Sequence, residues 1–249
     1  MALHSLPQTS GVPSLPLEPP TPPREKLWRF SMFASSDFNI VYSPPELVFD
    51  TLIGRDTTFA VGYGGGLTVS FKTGRWEFQS GGIYSFKRYI PKTPDHTYQD
   101  QQGYFVLEKF KSIQMDLLQV PLHVHFHFLD QPKWKVYGVG GLSLNLVLTP
   151  VYEVVQTRRV QAFSIPDESF GSLKEEKDFP HGLLEGGSFR DNAFLTGNIG
   201  LGVERFLHPR WSVFLQPNYQ YFLSKKGIGP NQDKIYTLSL HLGTKVSLK

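Results

Sequence analysis

The stretch from Leu117 to Leu148, LLQVPLHVHFHFLDQPKWKVYGVGGLSLNLVL, constrains the fold more than any other part of the chain. In its first arm Leu118, Val120, Leu122, Val124, Phe126 and Phe128 alternate with Leu117, Gln119, Pro121, His123, His125 and His127. A period of two sends successive side chains to opposite faces, which is strand behaviour. The second arm sets Trp134, Val136, Leu142, Leu144, Leu146 and Leu148 against Lys135, Tyr137, Ser143 and Asn145, and LDQPK between the arms supplies the turn. Each arm exceeds the ~9 to 11 tilted residues that cross a bilayer. A transmembrane β-barrel is therefore the first expectation.

The same alternation recurs along the chain. Trp28, Phe30, Met32 and Phe38 oppose Arg29, Ser31, Asp37 and Asn39; further alternating runs cover Thr58 to Lys72, Arg75 to Lys87, Ala193 to Glu204, Trp211 to Tyr221 and Tyr236 to Leu248. With the opening hairpin this makes eight strands. The connections alternate long and short, with Pro91 to about Lys111 and Thr149 to Arg190 read as long polar loops. That asymmetry suits a barrel whose one rim carries exterior loops and the other tight periplasmic turns. The expected fold is all-β, an eight-stranded antiparallel up-and-down transmembrane barrel over residues 27–249. Residues 1–26, rich in proline, read as a disordered linker or the remnant of an upstream region.

All four tryptophans, Trp28, Trp76, Trp134 and Trp211, fall at the first outward position of strands one, three, five and seven. They form one periplasmic-side aromatic girdle on this reading. The uncharged face of each strand is aromatic and aliphatic, so it is expected to meet lipid. A soluble calycin-like ligand-binding barrel also alternates, but it turns its apolar face inward and exposes a charged one.

No apolar run approaches the ~20 residues of a spanning helix. Cysteine is absent, which removes disulfides, thiol catalysis and thiolate metal sites. The formal charge of +3 is spread out, with no basic run interleaved with aromatics, so nucleic acid is not an expected partner. The start of the chain has neither a basic leader nor an apolar core before a cleavage site. A barrel of this kind must be exported, so the sequence reads as a fragment or a mature form.

LLQVPLHVHFHF, KWKVYGVGGLSLNLVL and the closing IYTLSLHLGTKVSLK resemble the outer-membrane β-barrel proteins of Bacteroidota often called PorT-like, a small-barrel family of the OmpA type. The resemblance spans about Leu27 to Lys249 and rests on pattern. It implies an outer-membrane address in a Gram-negative bacterium and, among some members, a part in assembling a secretion system. Many outer-membrane proteins end in an aromatic residue, whereas this chain ends in Leu248 and Lys249.

Candidate chemistry is sparse. His123, His125 and His127 share a face, but neighbours on an extended strand do not converge on one ion, so they read as lumen lining and no metal is expected. GYGGG and GVGG open no helix and read as relief of crowding rather than a dinucleotide fingerprint. Arg29, Arg75, Glu77, Lys135, Glu204 and Lys245 fall on inward positions near the tryptophan rim, and the spacing predicts an ion-pair plug across the lumen. For an enzyme, Asp37, Asp95 and His96 are available near the outer rim, yet no spacing singles them out; no catalytic residue and no cofactor are expected. The expected role is structural, interaction or assembly, through long loops or a protein partner. Outer-membrane lipid and other envelope proteins are the expected partners, with the barrel a monomer or a subunit of an envelope complex. A barrel enzyme or a narrow channel for small solutes is the alternative.

Overall fold

The computed structural model describes residues 26–43, 46–48, 51–53, 56–90, 96–99, 105–159, 181–229 and 232–248. The expected linker over 1–26 lies outside them, apart from Lys26. Eight long antiparallel strands form the barrel: β1 (Lys26–Ser43), β2 (Asp56–Thr73), β3 (Trp76–Tyr89), β4 (Phe105–Asp130), β5 (Trp134–Arg159), β6 (Ala193–His208), β7 (Trp211–Phe222) and β8 (Lys234–Leu248). Each pairs with its sequence neighbour except β1 with β8, Trp28 opposite Leu248, which closes the ring and leaves the barrel no free edge. Two small additions lie outside the ring. Glu46–Val48 pairs with Thr51–Ile53, and His96–Gln99 adds to β4.

The tight turns are minimal. Gly74, at φ 61°, takes the left-handed conformation between β2 and β3 that a side chain would oppose.

Two loop expectations need correction. The segment from Thr149 to Arg190 does not begin as a loop, since β5 continues to Arg159, and β4 begins at Phe105 rather than after Lys111. β-bulges explain both. The β4–β5 register slips between Asp116 and Leu117 and again between Phe110 and Ser112. Each extra residue reverses which face the following side chains take, so the period of two breaks while the strand goes on.

The alternation resolves as lipid-side apolar, lumen-side polar. Leu67, Phe78, Leu122, Leu142, Ile199 and Leu242 are exposed on the outer surface, while Arg29, Glu77, Gln119, His125, Asn198 and Lys245 are buried inside. The soluble calycin-like alternative requires the reverse, and it is excluded. An apolar surface of this extent around a closed ring is matched to acyl chains, because closure gives each strand a hydrogen-bonded neighbour on both sides.

Two aromatic belts bound this surface. Trp28, Trp76, Trp134 and Trp211 are all outward and exposed on the short-turn side. Tyr42, Tyr63, Tyr84, Tyr221 and Tyr236 lie outward toward the other end, with Tyr236 against both Tyr42 (5.3 Å) and Tyr221 (5.1 Å). Along β7, ten residues from Trp211 to Tyr221 span ~33 Å of strand, or ~25 Å of height at a tilt of ~40°. That matches the apolar band of an outer-membrane barrel.

Candidate functional site

The interior of an eight-stranded barrel is just wide enough for side chains. Here it is filled in layers. At the tryptophan end Arg29 (β1) reaches across to two carboxylates: Nη1 donates to Glu77 Oε2 (β3) at 3.1 Å, and Nη2 to Glu204 Oε1 (β6). Glu77 also accepts from Ser70 Oγ at 2.5 Å and from His127 Nε2 at 2.9 Å, and Lys245 Nζ (β8) stands 3.6 Å from it. Ser212 Oγ donates to Glu204 at 2.6 Å. Two acids face two bases, all with side chains fully enclosed. Mutual neutralisation is what makes such burial tolerable.

Four of the six residues expected in a plug thus come together. The other two do not. Arg75 sits in the two-residue turn after β2, exposed, because a turn residue is not bound to the inward parity of the strand. Lys135 stops at the rim, 3.3 Å from Asp130, which also receives Lys72 at 2.5 Å. Its ammonium lies over the Phe206 ring at 4.7 Å.

Tyr137 is the keystone of the next layer. Its ring stacks on His125 (5.0 Å, 6°), carries the Lys245 ammonium at 4.7 Å, and its hydroxyl donates to Gln216 at 3.1 Å. Gly202 makes room for it, since a Cβ there would meet Tyr137 Cζ at 2.2 Å. The imidazoles are spoken for singly: His127 donates to Glu77, His125 lies 3.0 Å from Gln79 Oε1, and His123 lies 3.3 Å from Ser143 Oγ.

Further up, Lys87 Nζ donates to Asn39 (2.6 Å) and Thr237 (2.9 Å) and stands 3.6 Å from Asp37. Asp37 is therefore a lumen residue in an ion pair, not an outer-rim catalytic candidate; its partner in that suggestion, Asp95, and the side chain of His96 fall outside the described residues.

The upper end differs in kind. Val41, Tyr89, Ile113, Met115, Leu117, Phe222 and their neighbours pack into an apolar stopper. Above it Asp233 accepts from Ser43 Oγ and Tyr89 Oη, both at 2.6 Å. Burial pushes the Asp233 carboxyl above its ordinary value despite those two donors. On the surface nearby, Lys226 donates to Asp191 at 2.5 Å and holds that carboxyl below its ordinary value.

Inward-face charges do not reveal the stopper; its signal in the sequence is apolar residues at polar-face positions, Ile113, Met115 and Leu117 in β4 and Ile235 in β8.

With both ends filled, what remains available is outside. β3 pairs with β4 only as far as Ile113, and β6 with β5 only as far as Leu146. Beyond those points β4 and β5 go on as a ribbon on the long-loop side, with β5 contributing ~40 Å of strand past its β6 neighbour. Val151 and Val155 are exposed on it.

No protein-family model and no curated protein matches this chain. Solved structures do. It is similar to Neisserial surface protein A at 14% identity over 86% of this chain and 96% of that one, with a TM-score of 0.38. It is similar to OprG from Pseudomonas aeruginosa at 11% identity over 90% and 98%, TM-score 0.40. The outer membrane protease OmpT from Escherichia coli aligns at 8% identity over 91% and 98%, TM-score 0.42. Likenesses at this level carry little weight beside the chain's own strand pairing and its outward apolar belt, and it is these that make the molecule a closed eight-stranded membrane barrel.

Proposed function

We propose that this chain is an outer-membrane β-barrel of a Gram-negative bacterium that acts as an interaction or assembly component, through the ribbon and loops of its long-loop side. One observation carries the reading: the lumen is filled at both ends, by the Arg29–Glu77–Glu204–Lys245 cluster and by the apolar stopper, while β4 and β5 run on past their barrel neighbours. A barrel without a through-path has no use for such an extension in conduction, whereas a projecting ribbon offers main-chain and side-chain surface to another envelope protein. The reading assigns no catalytic residue and no cofactor.

A secretion-related role of the PorT-like kind is its finer form. That form rests on the resemblance of LLQVPLHVHFHF and IYTLSLHLGTKVSLK to the Bacteroidota family.

The test is site-specific photo-crosslinking in cells with the crosslinker at Val151 or Val155, and at Leu142 on the lipid face as control. Discrete adducts with other envelope proteins at the two ribbon positions, absent at Leu142, are expected. Adducts at none of the three would overturn the reading.

A further inference from the structure

The two ends of the barrel treat charge differently. On the long-loop side acids stand among the described cations in comparable number, Asp116, Glu153, Glu185, Asp191 and Asp233, with Arg88 lying 3.7 Å from Glu153 and Lys226 2.5 Å from Asp191. At the short-turn rim, Lys72, Arg75, Lys133, Lys135, Arg205 and Arg210 face Asp130 as the lone described carboxylate. Glu77 and Glu204 do not offset this excess, since Arg29 and Lys245 already neutralise them. Asp130 is itself shared by Lys72 and Lys135. Arg75, Lys133, Arg205 and Arg210 are left exposed, with no described carboxylate within 4 Å.

Arg75, Lys133 and Arg210 stand one in each of the three tight turns and Arg205 lies on β6 beside Trp134, so the charge forms a ring rather than a patch. The ring lies level with the tryptophan belt, and the Arg205 guanidinium stands over the Trp134 indole at 5.2 Å. Indoles settle at the headgroup depth of a bilayer. A ring of cations at that depth meets a plane of headgroups all round, whereas a single globular partner would engage one arc of it.

From this we infer that the short-turn rim binds the phosphates of anionic phospholipid in the leaflet that surrounds it, selecting phosphatidylglycerol-type over zwitterionic headgroups. The inference rests on the membrane reading. Lys and Arg near a bilayer surface draw anionic lipid through screened Coulomb attraction, which fades with ionic strength.

The tryptophans report on it directly, because all four belong to this rim. The full chain is reconstituted in vesicles of equimolar phosphatidylethanolamine and phosphatidylglycerol, with bromine placed near the headgroup end of one lipid or the other, and fluorescence quenching gives the relative association of each. Brominated phosphatidylglycerol is expected to associate about fivefold more strongly. The preference should fall to about one in the Arg75→Gln, Lys133→Gln, Arg205→Gln, Arg210→Gln variant and at high salt. A ratio near one in the unaltered protein overturns the inference alone, and so does an unchanged ratio in the variant. A ratio near one with salt-sensitive capture of soluble acidic glycan fragments assigns the ring to a polymer instead. Absence of quenching by either lipid means the protein has not entered the bilayer, and the membrane reading falls with it.

Discussion

Arg29 and Glu77, 48 positions apart in sequence, are joined across the lumen by a 3.1 Å hydrogen bond between fully enclosed side chains. The bond ties β1 to β3 through the interior, bypassing β2, and the second arm of the same guanidinium ties β1 to β6. The barrel wall is thus braced from inside as well as by its ladder.

Removing one acid of the brace leaves two buried cations to a single carboxylate. Glu77→Gln takes the carboxylate from Lys245 and His127 and one of the two from Arg29, and Glu204→Gln takes the other from Arg29 together with the acceptor of Ser212. Each is expected to cost about 3–5 kcal/mol, with Glu77→Gln the worse because it serves more partners. Thermal unfolding in detergent, followed by the loss of heat-modifiable gel migration, checks this. Unchanged stability in both variants would show that the cluster does not brace the barrel.

Tyr137 and Gly202 are expected to be coupled. Gly202→Ala places a Cβ against the Tyr137 ring and should cost about 1–3 kcal/mol. In a Tyr137→Leu background the same change should cost markedly less, and a double-mutant cycle reads the difference. Strict additivity would mean that the glycine is there for another reason.

How far the sequence carried is visible residue by residue. Strand parity placed Glu77, Glu204 and the histidines inside and Leu142 or Ile199 outside, because a half-buried strand must obey a period of two. It failed where that period is interrupted: the bulges near Lys111 and Leu148 hid eleven further residues of β5, from Thr149 to Arg159, and the first part of β4. It failed also for Arg75, since residues in turns have no assigned face. Nor does parity rank distance across the lumen, so His127, Ser70 and Tyr137 gave no sign that they meet the charge cluster.

The apolar stopper and the ion cluster act in series, so opening one should not open the barrel. Planar-bilayer recordings are expected to show no discrete conductance steps for the unaltered protein, nor for Met115→Ala, Phe222→Ala. That variant should still lose several kcal/mol of stability from the cavity it leaves. Regular steps in either protein would place a continuous water path where none is expected.

Acid is expected to tighten the outer cap. The folded state holds the Asp233 carboxyl above the 3.8 of an ordinary aspartate, so the protonated form is the one the cap favours. Its contribution is whole below 3.8 and is lost as pH rises through the elevated value. Hydrogen exchange of the amides of Ile228 and Asp233, which pair with each other's carbonyls, should therefore slow on acidification by more than intrinsic chemistry explains. Asp233→Asn removes the titration, and the excess protection should become flat with pH.

The sharpest separation of a lipid-facing surface from a water-facing one is the dependence of a charge on depth. Leu242 is 62% exposed and lies four residues from Val246, the register partner of Trp211, or ~10 Å of height into the apolar band at the strand rise and tilt of such barrels. Leu248 is 55% exposed and pairs with Trp28 at the rim. In water the two leucines are equivalent surface residues, and either arginine substitution would alter stability by no more than ~0.5 kcal/mol. In a bilayer Leu242→Arg should cost about 2–4 kcal/mol while Leu248→Arg costs about 0–1, because a cation at the rim reaches the headgroups. Urea unfolding in phospholipid vesicles measures the pair. Equal, small effects at both positions would mean that this face meets water, and the barrel would have to be read as a soluble one with a charged core.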